Sequence, residues 1–168
     1  MLEVLPRVSD TFEEVFEREH AALLRLAWVL CHNADRAEDA VANAFAETFR
    51  AWQTGRIDDV GAYLRTTLIN RLRSDGRRAV VALRHEPKLR ARRPQDFDAG
   101  SDVHLAVLAA LTSLPPRQRA AVVLRFYEDR PLADVARILD CPIGTAKSLV
   151  SRAIAALRPD LEALRHAD

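Results

Sequence analysis

Between residues 79 and 102 the helical periodicity of this chain fails, and that interruption constrains the fold more than any other feature. The stretch holds Pro87, Pro94, a dense Arg/Lys cluster and the run Asp98-Ala-Gly-Ser-Asp102, with no sustained apolar stripe. Such a segment is expected to be a linker, flexible or loosely helical in its first part. On both sides apolar residues recur every three or four positions. The expected architecture is all-α, with one small helical domain over residues 1–78 and another over 103–168. Two small domains suit a length of 168 residues. Only five glycines are present, and long β-branched alternations are missing, which excludes sandwich, propeller and collagen-like folds.

The first helix is predicted over residues 11–31, where Thr11-x-x-Glu14 forms a capping box and Phe12, Phe16, Leu23, Ala27 and Leu30 make a stripe. The second is expected from Asp35, with Glu38 three residues on, to a stop at Thr54-Gly55. Its apolar side includes Ala37, Val41, Ala44, Phe45, Thr48 and Trp52. The third begins near Asp58-Asp59, runs to about Gly76, and has Leu64, Leu68 and Leu72 as its inner stripe. Beyond the linker, helices are expected over Val103–Leu111, Arg117–Tyr127 and Pro131–Leu139. Pro116 suits a first helical position, where its missing N–H costs nothing. Asp140-Cys-Pro-Ile-Gly144 reads as a tight connection to a final helix that reaches about Leu157, or continues past a bend at Pro159.

The formal net charge of +1 conceals a segregation. Residues 1–60 carry 6 basic and 12 acidic side chains, residues 61–93 carry 10 and 2, and residues 94–168 carry 9 and 10. A basic middle beside an acidic head indicates two surfaces with different partners, one of them a polyanion. Lys88 and Lys147 are the only lysines among 25 basic residues. Arginine suits forked contacts to phosphate and guanine, although genomic base composition also enriches it. Cys31 and Cys141 sit in no metal-binding spacing, so no metal or other cofactor is expected. Cys31-His32 reads as a small buried residue followed by a helix-terminal histidine. Phosphate-loop, HExxH and GxSxG motifs are missing, and an enzyme is not expected. No apolar run approaches the roughly 18 residues that span a membrane, and the start lacks a secretory pattern. The chain is therefore expected to be cytoplasmic, without membrane insertion.

The most specific feature is the helix pair at residues 131–157. Leu132, Val135, Ala136 and Leu139 line its first helix, and Ile143, Ala146, Val150, Ala153 and Leu157 line its second. At about 100° per residue, Ser148 and Arg152 fall nearly opposite that stripe, with Gly144, Thr145, Ser151 and Ala155 beside them. A face of small hydroxyls and a guanidinium can enter a DNA major groove. Lys147, at the flank, is better placed for a phosphate. The plain alternative is a helical hairpin whose polar face meets only water. On the third helix, Thr66, Asn70, Arg73 and Arg77 form a second stripe, joined by Ser74 and Arg78. Arginines interleaved with Asn and Ser suit melted DNA, though taken alone the default for such a stripe is a solvated basic face.

Taken together these features resemble the extracytoplasmic-function (ECF) group of bacterial RNA polymerase sigma factors, the compact type of the sigma-70 family. The resemblance spans about Phe12 to Leu164. It rests on Ala37-Glu38-Asp39, Phe45 and Trp52, on Asn70 with Arg77-Arg78, and on Leu114-Pro-Pro-Arg-Gln-Arg119. It rests also on Leu124-Arg-Phe-Tyr-Glu128 and on Cys141-Pro-Ile-Gly-Thr-Ala-Lys-Ser148 with Ser151-Arg152-Ala153. The resemblance implies a sigma-2-like domain, a three- to four-helix bundle, joined by the linker to a sigma-4-like helix-turn-helix domain. Its implied partners are core polymerase, through the beta-prime clamp helices and the beta flap, and promoter DNA. Members are commonly held by an anti-sigma protein. Asp39 and Asn43 become polymerase-side candidates. Asn70, Arg73, Ser74, Arg77 and Arg78 fall on the side of the −10 element, and Thr145, Lys147, Ser148, Ser151 and Arg152 on that of the −35 element. The chain departs from the pattern at Ala42-Asn43, where Gln-Glu is usual, at Leu149, where arginine is usual, and at Ser74, where an acidic residue is common. An attached sensor domain after Leu164 is not expected. A stand-alone helix-turn-helix regulator is the other reading. It would need a dimer seam and a basic reader, yet residues 94–168 have one more acidic than basic side chain.

Overall fold

The computed structural model describes residues 11–82 and 102–165, with side chains described for 11–75 and 105–164. Most of the expected linker lies outside the described residues. Helix α1 spans Phe12–Cys31. The Thr11 hydroxyl accepts the Glu14 N–H at 3.3 Å, and the Glu14 carboxylate accepts the Thr11 N–H at 2.7 Å, closing the expected capping box. The helix ends at His32, whose backbone is left-handed with φ 52°. Helix α2 spans Ala34–Gln53 and is capped by Asn33, not opened by Asp35. The Asn33 side chain takes the Arg36 N–H at 2.9 Å, which leaves Asp35 to face the positive helix end from within the first turn. The stop at Thr54-Gly55 is as expected, with Gly55 at φ 67°, where any Cβ would be strained.

Helix α3 spans Val60–Ala82. Asp59 starts it by accepting the Ala62 N–H at 2.9 Å. It continues past Gly76, the expected end, because a glycine inside a helix costs only about 1 kcal/mol and does not break it.

After the linker come α4 (Asp102–Ser113) and α5 (Pro116–Val122), with Pro116 in the first turn. The predicted helix over 117–127 changes type midway, since Val123–Tyr127 forms a π-helical turn. Helix α6 (Leu132–Ile138) and helix α7 (Ile143–Arg165) complete the fold, α7 running through Pro159. Among the described residues no strand occurs.

Helices α1, α2 and α3 pack on one another, and α7 gathers α4, α5 and α6 around itself. Leu23, Leu26, Val41, Leu64 and Leu68 are buried in the first group, and Leu124, Val135, Ile138, Ala146 and Ala153 in the second. Two expected core residues are corrected. Phe16 is 44% exposed because Val15, at 2%, takes the inner position on α1. Phe16 instead lies against the Phe45 and His20 rings, with centroids 4.8 and 4.7 Å away. Ile143 is 57% exposed, since it is the first residue of α7, just out of the turn. The two groups are not held apart: α3 meets α6, and α1 meets α5 and the π-helical turn. Their buried residues form one contiguous cluster.

Candidate nucleic-acid interface

The α6–α7 unit is set by a sharp turn. Asp140 adopts φ 48°, the Cys141 N–H returns to the Ala136 carbonyl at 3.0 Å, and Arg117 braces the Leu139 carbonyl at 3.0 Å. On α7, Ala146, Val150, Ala153 and Leu157 are buried, whereas Thr145, Lys147, Ser148, Ser151 and Arg152 are all exposed. The Ser148 hydroxyl donates to the Gly144 carbonyl at 3.0 Å, leaving its oxygen free to accept from a base or a bridging water. Leu149 is half-buried against the core, at the edge of the apolar stripe.

On α3, Leu64, Leu68 and Leu72 point inward, Asn70 is exposed, and Arg73 and Ser74 are half-buried. The α3 backbone passes through Arg77 and Arg78, whose side chains lie outside the described residues. Asn70 and Ser74 share an open cavity of about 370 Å³ with Tyr63, Thr66, Arg71 and Glu47. Glu47 and Arg71 were not among the sequence candidates. Glu47 arrives from α2, and only the packing of α2 on α3 brings it there. Asp39 and Asn43 lie on the exposed side of α2, where the Asn43 amide donates to the Asp39 carbonyl at 2.7 Å. That bond turns the Asn43 side chain back along its own helix and leaves the Asp39 carboxylate outward.

Sequence reasoning also missed Arg65, because it counts as one more arginine in a basic stretch. It is 4% exposed, bonded to the Glu128 and Glu19 carboxylates. Burial works against its charge, but the carboxylates of Glu128 and Glu19 outweigh that and hold its pKa above the ordinary value. The Asp59 carboxyl is held below its usual value by the Ala62 N–H and, more weakly, by Arg137. Burial pushes the Cys31 thiol up and the His32 imidazole down, the latter helped by the charge of Arg119. Among the described residues no group of three or more His, Cys, Asp or Glu side chains could hold a metal. No helix described is long and apolar enough to cross a membrane.

Residues 104–157 match the family model "Sigma-70, region 4", a span that takes in α6 and α7 as far as Leu157. The RNA polymerase sigma-E factor of Streptomyces coelicolor is 35% identical over 156 residues, covering 90% of this chain and 86% of that protein. The ECF RNA polymerase sigma factor SigM of Mycobacterium tuberculosis is 34% identical over 147 residues, covering 87% and 74%. Among solved structures, sigma factor RpoE from Bartonella quintana, crystallised with the anti-sigma factor NepR, superposes with a TM-score of 0.72. It is 28% identical, over 90% of this chain and 96% of that one. With a likeness this long on both sides, the chain belongs to the ECF group of sigma-70 family RNA polymerase sigma factors.

Proposed function

We propose that this protein binds core RNA polymerase and confers promoter choice, with residues 103–168 reading the −35 element and residues 1–78 reading and opening the −10 element. The observation that carries this reading is the exposed face of α7. Thr145, Lys147, Ser148, Ser151 and Arg152 lie together in solvent, opposite a buried Ala146–Val150–Ala153 stripe. Arg152 has the reach to pair with a guanine edge, and Lys147 suits a phosphate. On α3, Asn70, Arg73, Ser74, Arg77 and Arg78 form the −10 reader. The cavity beside Asn70 and Ser74 supports it, offering polar groups and the Tyr63 ring to a strand whose bases are no longer paired. The exposed Asp39 carboxylate and the neighbouring Asn43 face core polymerase, at the beta-prime clamp helices. The beta flap engages the second domain, and an anti-sigma protein is a further partner of this chain. The whole chain is nearly neutral, so each reader binds DNA weakly alone and relies on polymerase to hold both. No catalytic step of its own is assigned to it.

The deciding experiment is in vitro transcription with core polymerase, with and without this protein. Start-site-specific transcripts that need both components are expected. Tight binding of a dimer to promoter DNA with no stimulation of core enzyme would instead establish a stand-alone regulator. In the same assay Arg152→Ala is expected to cost roughly 1–3 kcal/mol of −35 recognition while leaving binding to core polymerase unchanged. Arg77→Ala with Arg78→Ala is expected to lower open-complex yield more than closed-complex binding, measured by permanganate reactivity and by filter retention.

A further inference from the structure

The polar face of α7 has two unlike edges. At about 100° per residue, with Ser148 at the centre, Lys147 lies about 100° to one side and Leu149 about 100° to the other. The Lys147 edge carries a charge and suits a phosphate. The Leu149 edge carries none. Thr145, one turn before Leu149, and Ala156, two turns after it, share this edge, and both are exposed. Arg152 stands three residues on from Leu149, between that edge and the centre of the face.

Leu149 differs from the residues that close the core. Ala146, Val150, Ala153 and Leu157 are each 7% exposed or less, whereas Leu149 is only half-buried and keeps part of its side chain in solvent. Apolar surface beside a polar reader gains from a partner that is also apolar. In the major groove the base pairs offer donors, acceptors and one apolar group, the 5-methyl of thymine. A leucine side chain cannot hydrogen-bond to a phosphate oxygen or a base edge, so its favourable contact there is that methyl. The methyl groups of Thr145 and Ala156 extend the same apolar edge. Spacing along the helix sets which thymine is in reach. Leu149 and Arg152 are about 4.5 Å apart along the helix axis, which corresponds to one or two base-pair steps of about 3.4 Å.

We propose that Leu149 is a specificity-determining residue that selects a thymine of the −35 element through its 5-methyl group, within about two steps of the guanine contacted by Arg152. The inference rests on the sigma-factor reading above and carries it from a polar face to a named base. No hydrogen bond is involved. The preference comes from apolar surface removed from water, so it separates thymine from uracil, which presents the same donors and acceptors and lacks only the methyl.

The test uses the full chain with core polymerase. A promoter is first selected by in vitro transcription from a pool randomised across the −35 region. Each thymine of the selected element is then replaced singly by deoxyuridine. Initiation from the paired duplexes is compared for wild type, Leu149→Gln, Leu149→Ala and Leu149→Met. Glutamine keeps a long unbranched side chain and good helix propensity but ends in an amide. Each thymine-to-deoxyuridine ratio is taken within one protein, so a partial loss of folding in a variant cancels. Wild type is expected to prefer thymine by about three- to fivefold at one position near the selected guanine, as burying one methyl group implies. The ratio is expected to fall to about one in Leu149→Gln and Leu149→Ala, and to survive in Leu149→Met, whose side chain is still apolar. A leucine that only closed the core would leave the wild-type ratio at one everywhere. That result overturns the proposal whatever the variants do, as does a selected element with no thymine within two steps of a guanine. A ratio that persists in Leu149→Gln and Leu149→Ala assigns the methyl to another residue and overturns the role of Leu149. Absence of start-site-specific transcripts from the wild-type chain sinks the sigma-factor reading, and this inference with it.

Discussion

At the scale of single residues, identity and position often say different things. His32 follows Cys31 at the end of α1, as a helix-terminal histidine would, yet its ring nitrogens are buried without a hydrogen-bond partner and Arg119 lies nearby. Burial and that charge depress its folded-state pKa below the ordinary 6.5. The unfolded chain then binds the proton more readily, so this contribution to stability is complete above about pH 6.5 and is lost as pH falls below it. Melting temperatures at pH 7.5 and 5.5 are expected to differ less in His32→Asn than in wild type. Asparagine tolerates the left-handed backbone and carries no titrating group. Two glycines give opposite expectations. A Cβ at Gly144 meets nothing within 4 Å on a helical backbone, so Gly144→Ala is expected to stabilise by roughly 0.5–1 kcal/mol. At Gly55, with φ 67°, alanine is expected to destabilise by about 1 kcal/mol, read by urea titration of the circular dichroism signal.

At the scale of elements, local chemistry placed most helix ends. The capping box at Thr11-Glu14, the Gly55 stop and Pro116 in the first turn of α5 are written in adjacent residues, and each is found where expected. Misplacements arose where two local signals competed. Asn33 and Asp35 can both cap, and Asn33 prevails because its side chain meets the Arg36 N–H. The π-helical turn at Val123–Tyr127 has no composition signature, since its five-residue hydrogen bonding depends on how the segment fits its neighbours. Inner faces were legible for the same reason the ends were: 3.6-residue periodicity puts Leu64, Leu68 and Leu72 on one side. Leu68 is fully buried, and Leu68→Ala is expected to cost about 2–5 kcal/mol, measured by chemical denaturation.

At the scale of the whole molecule, the tether decides how the two readers act together. The covalent link keeps the two readers at high effective concentration on polymerase, where separate pieces would have to find it independently. Residues 1–82 and 102–168 supplied as separate polypeptides are therefore expected to direct initiation at least about 100-fold less efficiently than the intact chain at equal concentration. Run-off transcript yield measures the difference.

The chain's own order of residues determined the helical class, the two-part division and the polar face of α7, because each follows from spacing within one helix or from a single break in it. Sequence spacing could not foretell that the halves embrace, that Glu47 joins Asn70 at one cavity, or that Arg65 lies buried. Those facts depend on partners far away along the chain, and only the folded packing brings a guanidinium to a carboxylate 63 residues distant.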